Sequence, residues 1–113
     1  MKLVTAIVRP DRVAAVSAAL ERSGVNGLTV SQASGYGRQR GHTEVYRGAD
    51  YTSDLLPKMR LEVLVSGDAV GGVMAAIEEG GRTGNFGDGK IWLLEVRDAV
   101  RVRTGERGAA AIA

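Results

Sequence analysis

The strongest chemical signal in the sequence lies at residues 83–90, Thr-Gly-Asn-Phe-Gly-Asp-Gly-Lys. Its closely spaced glycines let backbone N–H groups approach phosphate oxygens, and Lys90 adds a positive charge. Residues 84–90 also match the G-x-x-x-x-G-K core of a Walker A loop. However, Ile91 stands where that loop has Ser or Thr, and a strand rather than a helix is predicted to follow. The segment therefore predicts a phosphate-binding loop at 82–90 that is not a P-loop. A flexible helix-to-strand connector is the alternative.

A second candidate for phosphate binding is the pair Arg101 and Arg103, which Val102 separates. In an extended segment, residues two apart lie on one side, so both guanidinium groups would face the same way. Such a pair can clamp a polyphosphate through charge-assisted hydrogen bonds, each worth about 1.5–3 kcal/mol when shielded from water. The alternative is two solvated surface charges that contribute little.

The sequence contains no recognisable catalytic set. His42 is the only histidine, and the sequence identifies no partner for it. Ser53 lies in no nucleophile-elbow pattern. Nearby Glu44, Asp50 and Asp54 are interpreted as solvated loop carboxylates. A binding protein is therefore predicted rather than an enzyme, and slow nucleotide hydrolysis is the alternative.

The hydrophobic pattern predicts two βαβ units. Strands are expected at residues 3–8, 28–36, 59–66 and 91–96, where short apolar or alternating runs occur. Between them, helical spacing predicts two helices that begin at the N-caps Asp11 and Asp68 and end at Gly24 and at Gly80-Gly81. This order indicates an α+β, ferredoxin-like fold with an antiparallel sheet and both helices on one face.

One face of the predicted sheet is left uncovered. The face that carries Leu64 has no helix to cover it, which favours an oligomer.

Residues 37–57 lack clear periodicity and form a long loop between the second and third strands. Compact domains rarely keep such a loop without a use for it, although a disordered insertion is the alternative.

Composition restricts the class of protein. The 113 residues are enough for one domain, 1–113, and are 44% hydrophobic and 25% charged. There is no cysteine, no apolar run of membrane-spanning length and no signal-peptide pattern, so the cytoplasm is predicted. A net charge of +2 argues against a nucleic-acid binder, whereas the local arginine clusters favour a small anionic ligand.

Three separated segments resemble the PII nitrogen-signalling family. They are G-Y-G-R-Q-R-G-H-T-E-V-Y-R-G-A-D-Y at 35–51, the glycine-rich run at 84–91, and V-R-V-R-T-G at 100–105, within the C-terminal segment 100–113. The resemblance covers nearly the whole chain. It implies a homotrimer that binds ATP or ADP between subunits and senses 2-oxoglutarate, with Mg²⁺ bound alongside.

The resemblance also assigns site residues. The nucleotide site would comprise Thr29, Gly37, Arg38, Gln39, Leu64, Gly87, Asp88, Gly89, Lys90, Arg101 and Arg103. The 2-oxoglutarate site would comprise Gln39, Arg40, Gly41, Lys58 and Gly87. Gln39 would also supply an oxygen to the Mg²⁺ ion, which ATP and 2-oxoglutarate would mostly hold. Residues 37–57 would be the partner-binding T-loop, and Tyr51 the residue that is nucleotidylated in many members.

Some positions depart from the family pattern. Asn85 and Phe86 replace the usual Lys and an aliphatic residue, and the bulk of Phe86 leaves the strength of 2-oxoglutarate binding undecided. Ala49 lacks the hydroxyl that is phosphorylated in some members. A PII-like sensor of a different small molecule is a further alternative, but Gln39 and Lys58 are both present and argue against it.

The resemblance also names classes of partner. Candidate targets are an ammonium transporter, a nucleotidylyltransferase and a sensor kinase, with membrane contact only through a transporter.

Overall fold

The computed structural model describes residues 1–37, 43–46, 49–52 and 55–113. Its strands are β1 (Lys2–Val8), β2 (Thr29–Gly35), β3 (Thr43–Tyr46), β4 (Ala49–Thr52), β5 (Leu56–Val65) and β6 (Lys90–Glu95), and its α-helices are α1 (Val13–Arg22) and α2 (Val70–Gly81). Four strands form an antiparallel sheet in the order β2-β5-β1-β6, and β3 pairs with β4 separately. This is the predicted ferredoxin-like α+β fold.

The core lies between the sheet and the two helices. Alternation along β5 places Leu61, Val63 and Val65 on the buried face, because successive strand residues point to opposite sides. Val16 of α1 and Ile77 of α2 pack against them and are almost fully buried. Both helices therefore cover the same face of the sheet, as the sequence predicts.

The opposite face of the sheet is partly apolar and has no helix on it. The register aligns Leu64 of β5 with Leu3 of β1, and Leu3 with Leu94 of β6. Leu64 and Leu94 are 43% and 54% exposed in the single chain. The predicted open face is thus present, and it carries a contiguous apolar row.

The predicted N-caps Asp11 and Asp68 are wrong. A 3-10 turn precedes each helix, so the N-cap residues of α1 and α2 are Arg12 and Ala69, and neither caps its helix with a side chain. Asp11 instead accepts a hydrogen bond from Arg9 Nε at 3.3 Å. A hydrogen bond from Ser66 lowers the pKa of Asp68. Pro10 and Gly67 allow the tighter turn that displaces both carboxylates from the cap position.

The predicted end of α2 at Gly80-Gly81 is confirmed: Gly81 is the last helical residue and Arg82 is the C-cap. Both glycines are buried against α1. A Cβ atom on Gly80 would lie 2.7 Å from the Cα of Val16, which leaves no space for a side chain. The Gly80 carbonyl also accepts a hydrogen bond from Arg12 Nε at 2.9 Å. These glycines permit the close approach of the two helices.

Part of the segment predicted as a long loop at 37–57 lies in strands. The central strand β5 begins at Leu56, so residues 56–57 belong to the main sheet. The β3–β4 pairing lies inside the segment and aligns Tyr51 with Glu44. Similarly, Lys90 is the first residue of β6 rather than the last residue of a loop.

Candidate functional site

A cleft of about 960 Å³ lies where the ends of several strands meet the glycine-rich loop. Its walls come from the end of β2, from β5, and from the loop between α2 and β6. Residues that line it are Ile7, Ala33, Ser34, Gly35, Tyr36, Gly37, Lys58, Arg60, Asn85, Phe86, Gly87, Asp88, Gly89, Lys90 and Trp92. The volume is within the range of small-molecule sites.

Strand register places two cations on the floor of this cleft. Ile7 of β1 is aligned with Arg60 on one side and with Lys90 on the other. Neighbouring strands lie about 4.8 Å apart, so Arg60 and Lys90 start from positions about 10 Å apart. The floor of the cleft is therefore positively charged over a length suited to an anion with several charged oxygens.

Lys58 supplies a third cation, and it is the most buried of the three. Only 9% of Lys58 is exposed, and its Nζ donates a hydrogen bond to the Gly87 carbonyl at 2.9 Å. Burial is the main cause of its lowered pKa, and repulsion from Arg9 adds to it, while the charge of Asp88 opposes both. A desolvated cation of this kind favours an anionic ligand.

Arg9 is a residue that the sequence analysis missed. It follows β1 directly, and its charge acts on both Lys58 and Asp88. Its proximity depends on the antiparallel pairing of β1 with β5, in which Val8 is aligned with Met59. Only that register brings Arg9 near Lys58, and no local motif marks it.

Asp88 organises the glycine-rich loop from within. Its carboxylate accepts hydrogen bonds from the Thr83 and Gly84 backbone N–H groups, each at 2.8 Å, and from the Thr83 hydroxyl. The hydroxyl bond is the main cause of the lowered pKa of Asp88. The Asp88 side chain therefore fixes the shape of the loop, and its assignment to the nucleotide site stays a prediction.

Glycine is required in this loop for two reasons. Gly84, Gly87 and Gly89 have φ values of +87°, +98° and +94°, a region that side chains disfavour. At Gly89, a Cβ atom would also lie 1.6 Å from the Ile7 carbonyl oxygen. The loop therefore passes directly against the end of β1, and this contact places Lys90 beside Ile7.

Arg101 and Arg103 do not lie on an extended stretch, contrary to the prediction. Residues 102–104 form a turn, which is closed by a hydrogen bond from the Gly105 N–H to the Arg101 carbonyl at 2.7 Å. Gly105 has a φ of +75°, and Val100 pairs with Arg107. In the single chain, neither arginine is among the residues that line the described cleft.

Thr29 and Leu64 form a second group outside the cleft. Thr29 is aligned with Glu62, so Leu64 lies two residues further along β5 on the same open face. Both are exposed in the single chain. One chain thus brings together Gly37, Lys58 and residues 87–90 of the predicted site, but not Thr29, Leu64, Arg101 or Arg103.

The remaining predicted site residues, Arg38, Gln39, Arg40 and Gly41, lie outside the described residues. The modification candidate Tyr51 lies in β4. Within the described part of the chain, His, Asp and Glu form no group of three that could hold a metal ion. In that same part, no helix has the length and apolar character needed to cross a membrane.

The fold and the cleft define a small ferredoxin-like α+β protein with an anion-attracting site beside a glycine-rich loop. The family model described as nitrogen regulatory protein P-II matches residues 1–106. The chain therefore belongs to the P-II family of nitrogen regulatory proteins and is a signalling protein.

Individual relatives agree with this assignment. The chain is 47% identical over 112 residues to nitrogen regulatory protein P-II of Mesorhizobium japonicum, with 99% of this chain and 100% of that protein covered. It is 43% identical over the same length and coverage to nitrogen regulatory protein GlnK of Escherichia coli K12. Among solved structures, Arabidopsis thaliana PII bound to citrate matches with a TM-score of 0.80 and 43% identity, over 97% of this chain and 90% of that chain. The Mesorhizobium and Escherichia relatives are both named regulatory proteins.

Proposed function

We propose that the protein senses nitrogen, carbon and energy status by binding ATP or ADP together with 2-oxoglutarate, and that it regulates nitrogen-assimilation proteins through residues 37–57. The observation that carries the proposal is the buried Lys58 ammonium, bonded to the glycine-rich loop inside a cleft of about 960 Å³. A buried cation beside a loop of this kind favours an anionic metabolite.

The nucleotide phosphates would bind at the glycine-rich loop. Lys90 provides a point charge, and backbone N–H groups of residues 87–89 provide donors on a loop already shaped by Asp88. Arg38 would contact the same nucleotide. Thr29 and Leu64 would lie near the adenine, and Arg101 and Arg103 near the phosphates, all four contributed by a second copy of the chain.

2-Oxoglutarate would bind at Lys58, with one carboxylate paired to the ammonium. The citrate bound to the Arabidopsis relative is also a carboxylate, which supports a carboxylate ligand in this family. Gln39, Arg40, Gly41 and Gly87 would complete the site. Mg²⁺ prefers oxygen ligands and keeps few protein contacts, so Gln39 with ATP and 2-oxoglutarate oxygens would suit it.

A homotrimer would unite the two groups of site residues. The open apolar row of Leu3, Leu64 and Leu94 needs cover, and a second copy would bury it. Light scattering should give a mass near three times the 11.9 kDa of one chain. A single-chain mass at micromolar concentration would contradict the shared site.

Regulation would act through protein partners of the T-loop. An ammonium transporter, a nucleotidylyltransferase and a sensor kinase are candidate targets, as the family resemblance implies. A pull-down from native lysate with and without 2-oxoglutarate would identify which of them binds.

Calorimetry with ATP tests the central proposal. Arg103→Ala should weaken ATP binding about ten- to a hundredfold, since one charge-assisted hydrogen bond would be lost. Arg107→Ala is the matched control, because Arg107 lies on the same C-terminal hairpin, residues 100–107, and its Nη1 is 3.8 Å from Asp98 Oδ2. Equal affinity of the Arg103 variant and the wild type would show that Arg103 is a surface charge.

A further inference from the structure

The C-terminal hairpin contains a carboxylate that holds one of its arginines. Glu106 Oε1 accepts a hydrogen bond from Arg101 Nη1 at 3.0 Å and another from the Thr104 hydroxyl at 2.7 Å. The other terminal nitrogen, Arg101 Nη2, donates to the Ala113 carbonyl at 2.8 Å. The guanidinium group is therefore fixed by acceptors at both of its ends.

The backbone of the hairpin makes this arrangement possible. The Arg101 N–H donates to the Glu106 carbonyl at 2.8 Å, which places the two residues opposite each other across the turn. Thr104 Oγ1 also accepts a hydrogen bond from the Glu106 N–H at 3.2 Å, so backbone and side chain of Glu106 are both tied to the turn. The turn therefore fixes the position of the Glu106 side chain independently of its contact with the Arg101 guanidinium.

We propose that Glu106 is a positioning residue for polyphosphate binding, acting through Arg101; this inference rests on the nucleotide site proposed above. A guanidinium group has five N–H donors, and the two contacts to Glu106 and Ala113 leave three for a ligand. An arginine that is already oriented loses less side-chain freedom when a phosphate binds. A guanidinium group can bind phosphate oxygens through paired N–H donors.

The Glu106 charge has an opposite, weaker effect, because a carboxylate repels phosphate. Two substitutions separate orientation from charge. Glu106→Gln removes the charge but keeps an Oε1 acceptor, so it should retain most of the ATP affinity. Glu106→Ala removes the acceptor as well and should weaken ATP binding about two- to tenfold, the effect of freeing one long side chain.

A carboxylate that directly precedes the hairpin provides a matched control. Asp98 accepts a hydrogen bond from the Ala99 N–H at 2.8 Å and lies near Arg107, which is assigned to no ligand. Asp98→Ala should therefore leave ATP affinity unchanged. An equal loss in both variants would indicate a general weakening of the hairpin and would overturn the positioning role.

The experiment is calorimetric titration of the full chain with ATP and with adenosine. In the Glu106→Ala variant, ATP binding should weaken while adenosine binding stays unchanged, because only phosphates contact Arg101. In an Arg101→Ala background, adding Glu106→Ala should cause no further loss. Undiminished ATP binding by Glu106→Ala would overturn this inference alone. A wild-type protein that does not bind ATP would overturn both this inference and the proposed function.

Discussion

The ammonium of Lys58 donates a hydrogen bond to the carbonyl oxygen of Gly87 at 2.9 Å, although the two residues are 29 positions apart. This bond joins the central strand β5 to the glycine-rich loop inside the cleft. A ligand that pairs with the Lys58 ammonium would therefore alter its hydrogen bond to the loop. Through this bond, binding of one ligand at Lys58 would change the affinity of the loop for a second ligand.

Lys58→Ala should greatly weaken the binding of 2-oxoglutarate, while ATP binding remains. The loss of one charged hydrogen bond in a buried site corresponds to about a ten- to hundredfold loss of affinity. Calorimetry with 2-oxoglutarate in the presence of Mg²⁺ and ATP measures this, with Lys2→Ala as the control because Lys2 pairs with Glu95 at the other end of β1. We expect 2-oxoglutarate to bind only when Mg²⁺ and ATP are present, so tight binding without nucleotide would contradict this coupling.

Asp88 should make the stability of the protein depend on acid pH. Its pKa is lowered in the folded state, mainly by the Thr83 hydroxyl, so its ionised form stabilises the fold. That stabilisation is fully present above the unfolded pKa of about 4 and is lost as the pH falls through the lower folded value. Thermal denaturation at a series of pH values below 5 should show a shallower decline for Asp88→Asn than for the wild type. Asp11→Asn provides a carboxylate control, and identical profiles for Asp88→Asn and wild type would contradict the prediction.

Two glycines of α2 should respond in opposite ways to the same substitution. Gly80→Ala should lower the free energy of unfolding by about 1–3 kcal/mol, because the added Cβ would overlap the backbone of Val16. Gly72→Ala should raise it by about 0.5–1 kcal/mol, because that position has no neighbour within 4 Å and alanine favours helix. Urea denaturation at equal protein concentrations compares them. A stabilised Gly80→Ala variant would show that the helices can move apart without loss.

Tyr51 should carry a nucleotidyl group under one nitrogen condition. The residue lies in β4, within the segment whose sequence resembles the T-loop of the PII family. A nucleotidyl group would add bulk and negative charge, and would change which partner surface can accept the segment. Mass spectrometry of protein from nitrogen-starved and ammonium-treated cells should detect a UMP- or AMP-sized addition that is absent in Tyr51→Phe. An unmodified Tyr51 peptide under both conditions would leave ligand binding as the only input.

Periodicity in the sequence was sufficient to predict the main elements. Alternation at Leu61, Val63 and Val65 identified the central strand, and the spacing of Val73 and Ile77 identified α2, because burial on one face dictates both patterns. The glycines at 80–81 were correctly identified as the end of α2, but their packing against α1 was not predicted. A terminating glycine and a close-packing glycine look alike until the partner helix is known.

The site was harder to predict than the fold because it depends on contacts between distant segments. The glycine-rich loop and Lys58 were identified, but the bond between them requires the strand register. Arg9 was missed for the same reason. The hairpin of residues 100–107 was read as extended, because the alternation of Val and Arg resembles a strand, while the turn depends on Gly105 and the bonds to Glu106.

The central position of β5 has a consequence for hydrogen exchange. This strand pairs with β2 on one side and β1 on the other, so its amides are protected unless the whole sheet opens. The glycine-rich loop and the C-terminal hairpin have no such double pairing among the described residues and can exchange by local opening. The candidate site therefore joins β5, which like β1 is paired on both sides, to segments that can open locally. A bound ligand should slow exchange in the loop and hairpin while leaving β5 unaffected.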